Sequence, residues 1–444
     1  MTTPSTPGIK HFLLLFFPLT GTALLSTLFP FLEKILLGRY SLEAMEASVA
    51  ASNVLNIVKI PTVAAAFIAQ VHIARFAGAQ TYKEMGPCIW QMIWFSLLSM
   101  LITIPTTLIY GHYYFIDTHI RALALPYLYI MTAGNFLFPL GAALSCFYLG
   151  NKRGKELLKI TFLVQSLGFL LCYICIFGIP SILPPHGLLG AAIAFLSTQL
   201  LLCITLFLSF LKSPSSHAPT LWQLRPHLLW EYLRPGLARC ISSGSVMLSW
   251  SVLAYIVIHK GDDFLLILTI GCAVWEIFSV LTEGLLQLIT TETSHILGSK
   301  THSLLNYPFR IGLLFVLGIS TALSIPLLLF PHLLFPACFP ALTLSPYSLS
   351  LLGFGLWICF TLDAFNVIGV AYILSFKDTF QLLMRAILTW IFETGCAYLI
   401  LKNFSISSPH LWIAISPGLL LIASSNFLRA RYLKRQYTTA LAVQ

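Results

Sequence analysis

The sequence predicts an all-α polytopic membrane protein, with twelve transmembrane helices in two pseudo-symmetric six-helix lobes. Two features of the composition indicate this class: 58% of the 444 residues are hydrophobic and only 9% are charged. Soluble chains are about 45–50% apolar and about 25% charged, so this chain lacks the charged surface that a globule of its size needs. The composition therefore excludes a soluble enzyme, a disordered protein and, despite the net charge of +10, a DNA-binding domain.

The apolar residues lie in runs that are long enough to cross a bilayer as helices. A spanning helix needs about 20 apolar residues, whereas the strands of a barrel show shorter segments of alternating polarity. The runs here are continuous, as in Leu265–Val274 and Leu349–Cys359. Twelve spans are predicted, over residues 11–32, 49–74, 88–110, 122–149, 157–179, 188–211, 237–258, 264–290, 310–330, 346–372, 380–401 and 410–428.

The basic residues predict the orientation of the spans, because cytoplasmic loops are enriched in Lys and Arg. With the N-terminus inside, 19 of the 25 Lys and Arg residues fall in inside segments, five fall in outside segments, and only Lys59 lies within a span. We therefore expect an even number of spans and both termini in the cytoplasm. Topology then accounts for the positive charge, and we expect no nucleic-acid partner.

The two halves of the chain are interpreted as copies. Phe76–Tyr82, after the second predicted span, resembles Ile296–His302 after the eighth. Tyr148–Arg153, after the fourth span, resembles Ser375–Phe380 after the tenth. Six spans per half would place both halves in the membrane from the same side, as in transporters built from parallel repeats. The predicted divisions are an N-terminal six-helix lobe, a cytoplasmic linker, and a C-terminal six-helix lobe with a short basic cytoplasmic tail, over residues 1–211, 212–236 and 237–444.

Three segments resemble motifs of one transporter family. Glu33–Arg39, at the end of the first span, is similar to the family's D-T-x-x-x-G-R, and residues 65–79 are similar to the end of its second span. Asp363–Ile368, followed by Lys377–Thr379, resembles its tenth span and the turn that follows. The family is multidrug and toxic compound extrusion, MATE. The chain departs from the motif at Glu33, where the family has Asp.

The resemblance implies a cation-coupled antiporter, in which two six-helix lobes form a V that opens alternately inward and outward. Its substrates would be organic compounds, xenobiotics among them, that are cationic or amphipathic and leave in exchange for protons or sodium. We expect a monomer in the inner (plasma) membrane of a bacterium. Its partners would be the lipid bilayer and a small-molecule substrate, with no metal and no cofactor besides the coupling ion.

Two alternatives remain open from the sequence. A flippase for a lipid-linked precursor belongs to the same broad superfamily, but it would need several basic residues in the cavity to hold a diphosphate. Only Lys59 lies within a span. A membrane-embedded transferase would need clustered His, Asp or Glu at one membrane face, and those of the predicted outer loops are dispersed.

Carboxylates inside spans are the candidates for ion coupling, because an ionisable group in hydrocarbon costs at least about 2.5–3.5 kcal/mol. Asp363 lies inside the tenth span, with Asn366 one turn further on. Burial favours the neutral acid, so such a group can bind and release a proton near neutral pH. A structural role at a helix break is the alternative for Asp363. Glu33 is the second candidate, with an interfacial glutamate beside Lys34 as its alternative.

A further set of residues is expected to line the substrate cavity or a gate: Lys59, Glu276, Glu283 and Asn366. Glu276 and Glu283 are seven residues apart and share one face of the eighth predicted helix. Lys59, in the second helix, lies at a similar depth, and in the resembling fold these two helices border the central cleft. We expect one glutamate to neutralise Lys59 across the lobe interface and the other to attract cationic substrate. Pairing of each residue within its own lobe is the alternative.

Overall fold

The computed structural model describes residues 9–116, 119–179, 184–213, 222–338, 345–403 and 407–439, and nearly all of them are helical. The helices in these ranges are α1 (Ile9–Tyr40), α2 (Leu42–Ala66), α3 (Ala69–Gly78), α4 (Met85–Leu98), α5 (Met100–Tyr114), α6 (Arg121–Ala133), α7 (Leu137–Gly150), α8 (Gly154–Phe177), α9 (Gly187–Leu211), α10 (Pro226–Ile258), α11 (Asp262–Gly298), α12 (Asn306–Leu329), α13 (Pro331–Cys338), α14 (Pro346–Ser375), α15 (Thr379–Asn403) and α16 (Leu411–Thr439).

The predicted class, an all-α polytopic membrane protein, is confirmed. By length and composition, ten helical segments of the described chain can cross a membrane, and α6 with α7 raises the number to eleven if the pair is one span bent by 41°. Helix α15 occupies the eleventh predicted span, but its apolar part within the described residues is the shorter Thr379–Leu388. The number twelve therefore stays a prediction.

The helices form two compact units. Unit N comprises Phe17–Ile241 together with Leu297–Lys300. Unit C comprises Ser242–Ile296, the described residues from Thr301 onward, and the start of α1 up to Phe16. The lobe boundaries predicted from the sequence stay a prediction. Of the predicted linker, residues 214–221 lie outside the described residues, and the part from Pro226 onward forms the beginning of α10.

Each unit has its own apolar core. In unit N, fully buried side chains such as Leu37, Ala51 and Leu128 pack together. In unit C, the buried Trp412 stacks on Trp275 with ring centroids 5.9 Å apart, and its Nε1 donates a hydrogen bond to the carbonyl of Ile267 at 3.2 Å. Aromatic side chains contribute large buried areas, and a buried indole N–H needs the acceptor that it finds here.

Four helix ends share one unusual backbone conformation. Gln80, Lys152, Lys300 and Lys377 have φ between 56° and 59°, a region that non-glycine residues rarely adopt. The residue after Lys152 donates its N–H to the carbonyl of Tyr148 at 2.8 Å, which is the Schellman pattern of helix termination. Gln80 and Lys300 occupy the same place in Phe76–Tyr82 and Ile296–His302, which agrees with the proposed correspondence of these two segments.

The second proposed correspondence was wrong by two residues. The left-handed Lys377 matches Lys152, and the N–H of Asp378 donates to the carbonyl of Ile373 at 3.0 Å, as Arg153 does to Tyr148. The counterpart of Tyr148–Arg153 is therefore Ile373–Asp378, and not Ser375–Phe380. The hydrogen bonds of the turn define the equivalence, whereas similarity of residue type had suggested the later register.

Candidate functional site

Asp363 lies within α14, in unit C, with a half-buried side chain. Its carboxylate is hydrogen-bonded with the side chain of Asn366, one turn further along the helix. The Oδ1 atom of Asn366 accepts a hydrogen bond from Nδ2 of Asn426, in α16, at 2.7 Å. These three side chains form a hydrogen-bonded chain that joins α14 to α16.

The partners of Asp363 are neutral. Its hydrogen-bond partner is an amide, and among the described residues no charged side chain interacts with its carboxylate. A carboxylate in a membrane-spanning helix is costly unless a cation, a proton or water compensates its charge. The arrangement therefore suits a carboxylate that binds a small cation or a proton in exchange.

Glu33 lies in unit N, where polar side chains from three helices come together beside an aromatic ring from a fourth. Its side chain is 4% exposed, and its Oε1 accepts a hydrogen bond from the hydroxyl of Tyr127, in α6, at 3.2 Å. Lys59 of α2 interacts electrostatically with this carboxylate. The Nζ atom of Lys59 also lies 5.0 Å from the ring centroid of Phe138, in α7, which is a cation–π distance.

The two ion-coupling candidates thus have different surroundings. Glu33 has a lysine near it in the same unit, whereas the polar partners of Asp363 are amides. The expected pairing of Lys59 with Glu276 or Glu283 would join the two units, and it stays a prediction. The structure does bring Lys59 to a glutamate of its own unit, which is the alternative that the sequence left open.

Glu276 and Glu283 lie in α11, the most apolar of the candidate spans. The side chain of Glu276 is exposed. That of Glu283 is half-buried, and its Oε1 accepts a hydrogen bond from Nε2 of Gln287 at 3.0 Å. An exposed carboxylate within such a helix requires water or a cationic partner, as in a polar cavity.

A small apolar cavity of about 30 Å³ lies within unit C, with room for about one or two water molecules. Ala364, the neighbour of Asp363 in the chain, is one of its lining residues. The rings of Phe278 and Phe360 stack at its wall, with centroids 3.8 Å apart and planes inclined by 11°. The cavity is far smaller than a small-molecule site of about 300–1,000 Å³, so it does not hold a substrate by itself.

Sequence analysis did not identify two residues of these clusters, nor a buried glutamate elsewhere in unit C. Tyr127 and Asn426 lie in predicted spans, and a polar side chain inside an apolar run was the available signal. The buried glutamate is Glu292, which follows the predicted end of the eighth span by two residues, whereas α11 continues to Gly298. Its side chain is 5% exposed.

Comparison with known proteins gives a family and a fold. Residues 18–174 match the MatE family model. The outward-facing structure of a multidrug resistance MATE family transporter of the MOP superfamily is 17% identical, with a TM-score of 0.85 over 97% of this chain and 96% of that one. A MATE protein in the bent conformation is 18% identical, with a TM-score of 0.84 over 98% and 97% of the two chains.

A further similar structure is that of a MOP superfamily transporter from Pyrococcus furiosus, 18% identical, with a TM-score of 0.81 over 97% of this chain and 96% of that one. For that protein, reverse polarity of the binding pocket suggests a different function. No curated protein matches the chain.

The fold of this chain is that of solved MATE transporters, which are membrane transporters and not transferases. The resemblance to the MATE family is confirmed: the N-terminal part of the chain matches the family model, and the whole chain has the fold of MATE transporters.

Proposed function

We propose that this protein is a secondary active antiporter that exports organic compounds, cationic or amphipathic, in exchange for protons or sodium. Transport would proceed by alternating access between two lobes. The observation that carries the proposal is Asp363, a half-buried carboxylate of a membrane helix whose described hydrogen-bond partner is the neutral amide of Asn366. Binding of a proton or Na⁺ would compensate its charge, and release would restore it, which is the cycle that coupling requires.

The second carboxylate, Glu33, has a balancing charge nearby. Lys59 and Glu33 interact electrostatically within unit N, and Tyr127 donates a hydrogen bond to the same carboxylate. In this arrangement Asp363 is the first candidate for the coupling site and Glu33 the second. Asn366 would position the Asp363 carboxylate through its hydrogen bond.

The substrate would bind near the carboxylates of α11. The exposed Glu276 and the half-buried Glu283 supply negative charge on α11 that attracts organic cations. The stacked rings of Phe278 and Phe360, near Ala364, would contact the apolar part of an amphipathic compound. The multidrug resistance of the similar MATE transporter agrees with such a substrate class, although it describes that protein.

The test is transport by purified protein in liposomes, with a fluorescent organic cation, ethidium, and an imposed gradient of pH or of sodium. Asp363→Asn keeps the size of the side chain and removes its charge and titration. We expect the variant to fold, to bind ethidium and to fail to move it against its gradient, and Asp363→Glu to retain part of the activity. Asp378→Asn is the matched control, because Asp378 belongs to the same unit but is paired with Arg429 at 2.7 Å.

Transport at the wild-type rate by a well-folded Asp363→Asn protein would place the coupling site elsewhere, with Glu33 next. If the wild-type protein moved no ethidium with either gradient but translocated a lipid-linked precursor, the flippase alternative would replace the antiporter.

A further inference from the structure

Glu292 is a buried carboxylate that plays no part in the coupling site centred on Asp363. It lies near the end of α11, which extends to Gly298. Its side chain is 5% exposed, and the neighbouring Thr291 and Thr293 are also buried. An ionisable side chain inside a membrane helix indicates a functional site, and its partner indicates which function.

The partner of Glu292 is His11, near the beginning of α1. The Nε2 atom of His11 lies 3.8 Å from Oε1 of Glu292. The side chain of His11 is 45% exposed, whereas that of Glu292 is almost fully buried. The imidazole therefore lies between the surface of unit C and a buried carboxylate. The distance exceeds the about 3.2 Å of a direct hydrogen bond, and a rotation of the half-exposed imidazole can close the gap.

Aromatic contacts position this first part of α1. Phe12 and Phe16, both buried, pack edge-on against Phe315 of α12, with ring centroids 5.3 and 4.5 Å apart. These rings hold the start of α1 against α12. The position of His11 next to Glu292 is therefore fixed by side-chain packing.

The other titratable groups near Glu292 are two tyrosines and one histidine, within the described part of the chain. Tyr307 of α12 interacts electrostatically with Glu292, and Tyr372 of α14 lies beside Thr293. His295 follows three residues later on α11. Phenols are neutral near pH 7, whereas an imidazole titrates in that range. A histidine is therefore the group that can exchange protons with the carboxylate under physiological conditions.

We propose that His11 and Glu292 form a proton-exchange pair at the end of unit C where α1 begins, and that the coupling ion of the antiporter is the proton. This inference rests on the proposed function and specifies it. The carboxylic acid of Glu292 transfers its proton to Nε2 of His11, which leaves a carboxylate and an imidazolium. The imidazolium then releases a proton from Nδ1 to water. An imidazole relays protons and not sodium ions, so the pair selects between the two candidate ions.

The experiment uses the wild-type protein, Glu292→Gln and His11→Gln in liposomes, with ethidium as substrate and pyranine reporting the internal pH. We expect Glu292→Gln to bind ethidium within about twofold of wild type and to slow pH-driven transport at least about tenfold, the usual scale of a lost proton-transfer group. We expect His11→Gln to lose the dependence of the rate on pH between about 6 and 8, the range in which imidazole titrates.

The chain offers a matched control pair. Nε2 of His119 lies 3.7 Å from Oε2 of Glu46, a similar geometry, but the two side chains are 78% and 56% exposed. Glu46→Gln and His119→Gln should leave both the rate and its pH profile unchanged, because a pair in water connects no enclosed site with the solution.

Wild-type transport and pH profile in both Glu292→Gln and His11→Gln would overturn the proposal, and so would transport driven by a sodium gradient alone. If Glu292→Gln does not fold, the pH profile of His11→Gln decides, because His11 is half-exposed and the amide of a glutamine in its place can still donate a hydrogen bond to Glu292. Failure of the antiporter function itself gives a different result, since the wild-type protein then moves no ethidium with either gradient.

Discussion

Gln80 and Lys300 adopt the same left-handed backbone conformation, with φ of 58° and 56°, in the turns that follow α3 and α11. The threonines that come next also match, Thr81 with φ −92° and ψ 58° and Thr301 with φ −88° and ψ 57°. Two consecutive residues with the same unusual conformations indicate that the turns are built alike. This likeness supports the interpretation of the two halves as copies.

The equivalent turn after α7 gives a first prediction. A non-glycine residue in the left-handed region costs about 1–2 kcal/mol, and a β-branched side chain fits it worst. Lys152→Gly should therefore leave the free energy of unfolding unchanged or raise it by up to about 1 kcal/mol, because the greater freedom of glycine in the unfolded chain offsets part of the gain. Lys152→Val should lower it by more than about 1 kcal/mol. Thermal unfolding of purified protein, followed by tryptophan fluorescence, measures the difference.

Lys155→Val is the control for this prediction. Lys155 is an exposed residue near the start of α8, close to Lys152 in the chain, so its replacement tests the loss of a lysine without the left-handed turn. Equal destabilisation by Lys152→Val and Lys155→Val would show that the backbone conformation is not the cause.

The electrostatic partner of Lys59 gives a second prediction. Lys59→Met keeps the length of the side chain and removes one of the two lysines that interact electrostatically with Glu33, the other being Lys34. A charge in a membrane helix is costly without an opposite charge near it, so Lys59→Met and Glu33→Gln should each reduce the yield of folded protein. The double variant should recover part of the loss. A double-mutant cycle on the midpoint of thermal unfolding measures the coupling.

The same cycle with Glu276→Gln and with Glu283→Gln distinguishes the two expectations for Lys59. Coupling to Glu33 and to neither of the others would establish pairing within unit N. Coupling to Glu276 or Glu283 would instead support the gate between lobes that the sequence suggested.

A buried glutamine in α4 gives a third prediction. Gln91 is 1% exposed and forms two hydrogen bonds with the segment just before α10. Its Nε2 donates to the carbonyl of Gln223 at 3.0 Å, and its Oε1 accepts from the N–H of Arg225 at 3.1 Å. Gln91→Leu should destabilise this attachment by about 1–3 kcal/mol. Chymotrypsin should then cut faster after Trp222, the residue that precedes Gln223, as measured by limited proteolysis.

Trp94→Phe provides a graded comparison, since it removes only the single bond from Nε1 of Trp94 to the carbonyl of Trp222 at 2.7 Å. We expect its cleavage rate to fall between those of wild type and Gln91→Leu. An unchanged rate in Gln91→Leu would mean that other contacts hold this segment.

A fourth prediction concerns the orientation in the membrane. With both termini in the cytoplasm, single cysteines in residues 180–187 and 331–345 should react with an impermeant thiol reagent added to intact cells. Cysteines in residues 152–155 should be protected until the membrane is opened. The ten native cysteines are replaced beforehand. The reverse pattern of labelling would contradict the topology that the distribution of Lys and Arg predicts.

Part of the candidate site could be predicted because it is local in the chain. Asp363 and Asn366 are three residues apart, and in a helix such residues lie on one face, so their neighbourhood follows from the spacing. The same holds for Glu283 and the amide of Gln287, four residues later. The register of the turn after α14 was missed by two residues because residue type alone does not report the hydrogen bonds that end a helix.

By itself the sequence determined the class of the protein, since the length of an apolar run and the sparsity of charge are properties of consecutive residues. It also determined that Asp363 lies within a span. Only the tertiary structure decided that Asn426 bonds Asn366, that Lys59 lies near Glu33 and that His11 reaches Glu292. These pairs come from different helices, and their meeting depends on how each helix is rotated and packed. Hydrophobic runs that are apolar on all sides carry no record of that rotation.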